Sequence, residues 1–230
     1  MRVLVTRPLK DGAETARQLM AMGHDALLAP LLTVRIHTGQ ELALAGVQAV
    51  LATSANGVRA LAARTPLRDI PIFAVGPQTA EAARQAGFIR VRSADGDAAA
   101  LADAVPDWVR PDAGALLHAA GEEGSGWLAP TLTGRGFQVR RELLYRVDAA
   151  AGLPPSAIHA FEQGAVGAAL FFSPRSARVF ADCVARAGLS MAGVIAVCIS
   201  AGTASALADL AFAEVRVAHA PNQAALLDCL

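Results

Sequence analysis

The chain has 230 residues, 54% of them hydrophobic and 17% charged, and its 20 acidic residues balance its 20 basic ones. That is enough chain for one large core or two small ones, and the neutral balance argues against a nucleic-acid binder, which carries a basic excess. No stretch approaches the ~20 apolar residues needed to cross a bilayer. Cys183, Cys198 and Cys229 are odd in number and widely spaced in apolar patterns, so they read as reduced thiols of a cytoplasmic protein rather than disulfides.

The opening MRVLVTR reads as a strand and not a secretory leader. DGAETARQLMAMG follows with helical apolar spacing and a Gly stop, and HDALLAP reads as a second strand. After Pro30 comes LLTVRIHTGQ, β-like and ending at a turn. Strand and helix patterns then alternate through VQAVLAT, SANGVRALAAR, IPIFAVG, PQTAEAARQAG, FIRVR, DAAALADAV, GALLHAAG, GSGWLAPTLTGRG and FQVRRELLYRV. The strands are too apolar to have one wet face, which suits parallel strands covered on both sides and joined by right-handed helical crossovers. The chain loosens from Ala149, restarts with a helix at Pro154–Pro155, and resumes with AVGAALFF, SPRSARVFADCVARAG, VIAVCI, SAGTASALADLA, AEVRVA and PNQAALLDCL.

Two of these stretches match: AVLATSANGVRAL at 49–61 and AALFFSPRSARVF at 168–180. The match continues, since IPIFAVGPQTAEAARQAGFIRVR resembles VIAVCISAGTASALADLAFAEVRV and AALADAV resembles AALLDCL. This is an internal duplication of a βαβαβα unit. The first two strands have no equivalent directly before the central copy, so residues 1–34 are assigned with 149–230 to one discontinuous domain. Residues 39–142 then form an inserted domain, with linker strands at 35–38 and 143–148. Two similar sheets facing a cleft are expected.

In open parallel sheets, ligands bind beyond the carboxyl ends of the strands, where helix N-termini present unpaired N–H groups and a positive dipole. Four turns lie at such places: Thr53, Ser54, Ala55 and Asn56; Gly76, Pro77, Gln78 and Thr79; Ser173, Pro174, Arg175 and Ser176; Ser200, Ala201, Gly202 and Thr203. Together they would receive a polyanion without a high net charge. The plainer alternative for each Ser or Thr is a helix cap worth about 1 kcal/mol, and a cap still leaves other N–H groups for a ligand. GEEGSGW at 121–127 opens a helix, but its spacing is neither GxGxxG nor a P-loop, and Glu122 and Glu123 make it a poor phosphate cradle. Tyr145 is the single tyrosine, placed where its phenol could reach the cleft, although a lone aromatic at a strand end also serves packing. The basic residues are nineteen Arg and Lys10 alone, a bias that fits genome composition as well as forked carboxylate binding. The five His never fall at metal-ligand spacing, and no nucleophile–base triad or carboxylate pair can be argued from spacing.

VLVTRP, TSANGVRAL paired with FFSPRSARVF, AVGPQTAEAARQAG, GEEGSGWLAPTLTGRGFQVRRELLYRV, and CISAGTASAL followed by APNQAALLDCL resemble the uroporphyrinogen-III synthase family in the right order along the chain. The resemblance implies an α/β fold of two flavodoxin-like domains facing a cleft, one discontinuous, joined by a two-stranded β-ladder. It implies a cyclising hydro-lyase of tetrapyrrole (haem) biosynthesis. Linear hydroxymethylbilane loses water to an azafulvene, ring D is attacked at its substituted carbon, and a spiro intermediate re-closes with ring D inverted. No metal or organic cofactor is implied. Each pyrrole carries an acetate and a propionate, so the substrate is a polyanion. Residue by residue, the four turns and Arg7 match ligand-facing positions, and Tyr145 matches a tyrosine that assists hydroxyl departure, here expected to act through hydrogen bonding. Departures are Ser200, which stands where the other copy has Gly76, and the absence of arginines from 118–127. A cytoplasmic monomer receiving its substrate from the bilane-forming deaminase, without nucleic-acid or membrane partners, is the expectation. The alternative from another class is a non-catalytic two-lobed receptor for a small polyanion.

Overall fold

The computed structural model describes residues 1–124 and 126–230, so that Ser125 of the 121–127 segment lies outside the described residues. The chain divides into two compact units, one of Met1–Thr33 with Asp148–Leu230 and one of Val34–Val147.

The discontinuous unit contains β1 (Arg2–Val5), α1 (Leu9–Ala21) and β2 (Asp25–Leu28) at its start. The central unit takes β3 (Leu32–Ile36), which begins just before the boundary, then β4 (Val47–Ala52), α2 (Ala55–Arg64), β5 (Ile72–Ala74), α3 (Pro77–Gln85), β6 (Val91–Ser93), α4 (Ala98–Trp108), β7 (Ala115–Gly121), α5 (Leu128–Gly134) and β8 (Val139–Ala149). The rest of the discontinuous unit is α6 (Pro155–Glu162), β9 (Ala168–Phe171), α7 (Pro174–Ala187), β10 (Ile195–Cys198), α8 (Ala201–Ser205), β11 (Glu214–Val217) and α9 (Gln223–Leu227).

Each unit has one sheet, ordered β11-β10-β9-β1-β2 and β3-β8-β7-β4-β5-β6. The pairings within β11 to β2 and within β8 to β6 are parallel. Alternation of side chains across a strand sends successive apolar residues to opposite faces. Leu4 joins one core and Val3 and Val5 the other. Likewise Val50 and Ala52 pack on one face of the central sheet, and Ala49 and Leu51 on the other. An aromatic cluster anchors the discontinuous unit, with the Phe171 and Phe180 rings edge-on at 5.0 Å and Phe161 and Phe212 beside them.

The sheet orders explain the strands that lacked a partner in the duplication. Laid strand on strand, β11-β10-β9-β1-β2 coincides with β6-β5-β4-β7-β8. The counterpart of β1-α1-β2 is therefore β7-α5-β8, which follows the duplicated segment in the central unit instead of preceding it. The units are circular permutations of one architecture. In chain order the discontinuous unit reads 2-1-3-4-5, the flavodoxin-like order, whereas the central unit reads 3-2-1-4-5.

Of the extended segments expected at 35–38 and 143–148, the second lies inside a longer strand, while the first straddles the end of β3 at Ile36. β8 runs unbroken from Val139 to Ala149, and β3 lies beside it as an added edge. The N–H of His37 donates to Leu144 O at 2.8 Å and that of Ala150 to Leu31 O at 2.9 Å, a pairing in opposed directions. The last long helix expected, SAGTASALADLA, is helical only to Ser205 and continues as turns.

Candidate functional site

The four turns expected at strand ends are all helix starts. Ser54, Ser173 and Ser200 hold extended backbone, and each accepts the N–H three residues on, from Gly57 at 3.0 Å, Ser176 at 3.1 Å and Thr203 at 3.3 Å. Gly76 has no side chain to cap α3, whose first helical residue is Pro77. A serine cap spends one of the orphan N–H groups of a helix start; at α3 the missing cap is offset by Pro77, which has no N–H, so the Gly76 turn leaves two donors, Gln78 and Thr79, as the Ser54 and Ser200 turns do.

Hydroxyl burial divides the expected donors. Thr79, Ser176 and Thr203 are buried within their own units. Ser176 Oγ donates to Ser173 O at 3.0 Å, and Thr203 Oγ1 lies 3.0 Å from Ser200 Oγ. These three stabilise the turns from inside. Ser54, Thr53, Asn56, Ser173, Arg175 and Ser200 are half-buried, while Pro77, Gln78, Ala201 and Gly202 are exposed. Asn56 Oδ1 accepts from Arg59 at 2.9 Å.

In the discontinuous unit, strand register sets the turns side by side. Phe171 pairs with Cys198, which brings the turn after β9 beside that after β10, and Val5 pairs with Leu170, which puts Arg7 next to them. Arg7 is held in place. Its guanidinium lies 4.4 Å from the centre of the Phe172 ring, donates to Gln223 and approaches Asp11 at 3.8 Å. It ties β1 to α1 and α9 as well as standing near the turns.

In the central unit the constellation is tighter. A cavity of about 320 Å³ lies beyond the carboxyl ends of β4 and β7, lined by Thr53, Ser54, His118, Gly121, Leu128 and Tyr145 among others. The Tyr145 hydroxyl lies 2.9 Å from Ser54 Oγ. Two backbone features put it there. The β7–β8 register slips between Ala120, opposite Leu143, and Gly121, opposite Tyr145. This bulge gives β8 one extra residue and re-aims the next side chain. Gly121 then makes room, because a Cβ there would stand 2.7 Å from Tyr145 Cζ. The turn after β5 lies one strand over, since Ala52 pairs with Ala74, and its residues do not line this cavity.

Sequence reasoning does not single out His118, though a histidine inside the apolar run GALLHAA is a legible signal. It is 4% exposed, its Nε2 lies 3.4 Å from Thr53 Oγ1, and its Nδ1 has no partner among the described residues. Burial, helped by the Arg141 cation, lowers its pKa from 6.5 to about 4, so the ring is neutral at physiological pH. Arg141 reaches from β8 to the carbonyls of Gly121 at 3.1 Å and Gly124 at 3.3 Å. The loop that lacks its own arginine is thus braced by one from the neighbouring strand. Among the described residues no three His, Cys, Asp or Glu side chains group as metal ligands. Nor is any helix among them long and apolar enough to cross a membrane. The arrangement sets the hydroxyls of Thr53, Ser54 and Tyr145 and a neutral imidazole around one hollow of mixed polar and apolar lining.

Comparisons with known proteins agree on one family. The family model described as uroporphyrinogen-III synthase HemD matches residues 13–228. A crystal structure of uroporphyrinogen-III synthetase from Helicobacter pylori is similar over 100% of this chain and 98% of its own, at 18% identity and a TM-score of 0.66. A mutant uroporphyrinogen III synthase from the extreme thermophile Thermus thermophilus is similar over 100% and 96%, at 20% identity and a TM-score of 0.53. At these identities the two structures attest the fold alone. No curated protein sequence matches the chain.

Proposed function

Since the chain belongs to the uroporphyrinogen-III synthase family, we propose that it closes hydroxymethylbilane to uroporphyrinogen III, with loss of water and inversion of ring D, as a cyclising hydro-lyase of haem biosynthesis. The observation that carries this reading is the Tyr145 hydroxyl held on Ser54 at a cavity beyond the strand ends. A phenol is a weak acid at neutral pH, so it serves a departing hydroxyl through the hydrogen bond it makes in the site and not by ionising beforehand. The acetate and propionate arms of the bilane suit the helix starts at Thr53–Asn56 and Gly76–Thr79 in one unit, and those at Ser173–Ser176 and Ser200–Thr203 in the other, where Arg7 stands near the turns.

Unassisted closure gives the unrearranged type I isomer, so the task is to favour one closure geometry over another. Each ~1.4 kcal/mol of preference is tenfold in rate, and a few such increments suffice. Holding several arms at fixed helix starts limits how the bilane can fold, which supplies orientation without a strong nucleophile. We place the enzyme in the cytoplasm as a monomer that takes its bilane from the deaminase that makes it.

The test supplies porphobilinogen and a bilane-forming deaminase, adds the protein, oxidises the products and separates type I from type III by chromatography. A shift to type III supports the synthase. Unchanged type I from folded protein would leave a receptor for a small polyanion as the better description.

A further inference from the structure

The Ser54 hydroxyl has three hydrogen-bonding valences, one donor and two acceptors. One acceptor position is taken by the Gly57 N–H at 3.0 Å, which fixes the start of α2. The Tyr145 hydroxyl stands 2.9 Å away with its ring packed on Gly121. A phenol is the more acidic of two such hydroxyls and an aliphatic alcohol oxygen the more basic. The favoured direction is therefore from Tyr145 to Ser54. That fills the second acceptor position of Ser54 and leaves one valence unspent, its own proton. Chains of this kind polarise each member, so a hydroxyl accepting two hydrogen bonds is a better donor.

A buried imidazole lines the same cavity. His118 is 4% exposed and leaves its Nδ1 without a partner among the described residues.

We propose that Ser54, and not Tyr145 directly, presents the proton to the departing hydroxyl of the substrate, with Tyr145 as the proton donor behind it. This rests on the synthase reading given above. In the step, the C–O bond breaks with its electron pair passing to oxygen, while the pyrrole nitrogen lone pair forms the azafulvenium. The oxygen takes the Ser54 proton and leaves as water. Ser54 takes the Tyr145 proton, and the resulting phenolate recovers one from the pyrrole N–H or from solvent. Ser54 is then the catalytic group, and Tyr145 acts through it.

Because Tyr145 is the single tyrosine, the ultraviolet resonance Raman doublet of the tyrosine ring, which reports whether a phenol donates or accepts, reads this residue alone. The wild-type protein should show a donating phenol, and Ser54→Ala should abolish that signature. A doublet reporting an accepting phenol in the wild type would overturn the relay. In the coupled assay, Ser54→Ala should lower kcat about a hundredfold with little change in KM, within the usual range for loss of a general acid. The double variant with Tyr145→Phe should be no slower than Ser54→Ala alone, because groups acting in series do not lose independently. Losses that multiply in the double variant would contradict it. Ser54→Gly, which costs a helix start only a few tenths of a kcal/mol, covers the case in which Ser54→Ala does not fold, and it should lose the same activity. Wild-type protein that leaves the isomer ratio unchanged would sink the synthase reading and the delivery step together, whereas the hydrogen-bond direction would still be decided by the doublet.

Discussion

At the scale of single residues, His118 is where burial changes the chemistry most. The unfolded chain protonates this imidazole below about 6.5, but the folded protein resists until about 4. As pH falls through that window the unfolded state binds the proton first, so stability is lost on acidification. A depression of that size corresponds to about 3 kcal/mol once the pH is below both values. Urea unfolding of the wild type and His118→Phe between pH 7 and pH 4 should diverge, with the variant showing the shallower loss. Parallel curves would mean that the imidazole is not desolvated as its burial indicates.

At the scale of elements, the strand–turn–helix module is repeated, but its copies are not equal. α3 has nine residues and starts at Gly76 without a side-chain cap, whereas α8 has five and a serine cap. The two turns still leave the same number of free N–H groups, since Pro77 has none to offer and Ser200 caps that of Thr203. At Ser173, whose Oγ accepts the Ser176 N–H, Ser173→Ala should lower stability by about 1 kcal/mol. Bilane affinity should fall less than a hundredfold, roughly 2.7 kcal/mol, because the backbone donors of α7 survive the change. Thermal unfolding with equilibrium binding separates the two effects. A larger drop in affinity at unchanged stability would show that the hydroxyl, rather than the main chain, holds the ligand. Close packing sets a further limit at this scale. A Cβ on Gly57 would come within 2.6 Å of Ala119 O, so α2 lies on β7 at a distance that only glycine permits.

At the scale of the molecule, permutation makes the two units unequal in how they must fold. The central unit is continuous from Val34 to Val147 and brings its own five parallel strands with β3 as an edge. The other unit needs β1, inserted between β9 and β2, from the far end of the chain. A fragment of residues 34–147 should thus unfold cooperatively on its own and retain the donating Tyr145, yet leave the type I to type III ratio unchanged. A fragment of 148–230, missing its β1 and β2 strands, should not fold. Circular dichroism melts and the coupled assay check both, and a folded 148–230 fragment would refute the dependence on β1.

Much of this protein was determined locally. The alternation of apolar strands and helices, the duplicated turns and their serine caps follow from periodicity and from the need of helix starts for acceptors, so they were legible in the sequence. The resemblance of ordered motifs also anticipated the family whose model matches residues 13–228. What the sequence left open depends on partners far along the chain. The pairing of β1 with β9 spans more than half of it, and nothing local told that β7-α5-β8 completes the central copy from behind. The bulge that turns Tyr145 onto Ser54, the glycine that admits its ring, and the burial that silences His118 arise only when β7, β8 and α2 lie against one another. Periodicity reports which face of an element is apolar. Register, close approach and desolvation are properties of pairs of elements, and only the tertiary structure sets them.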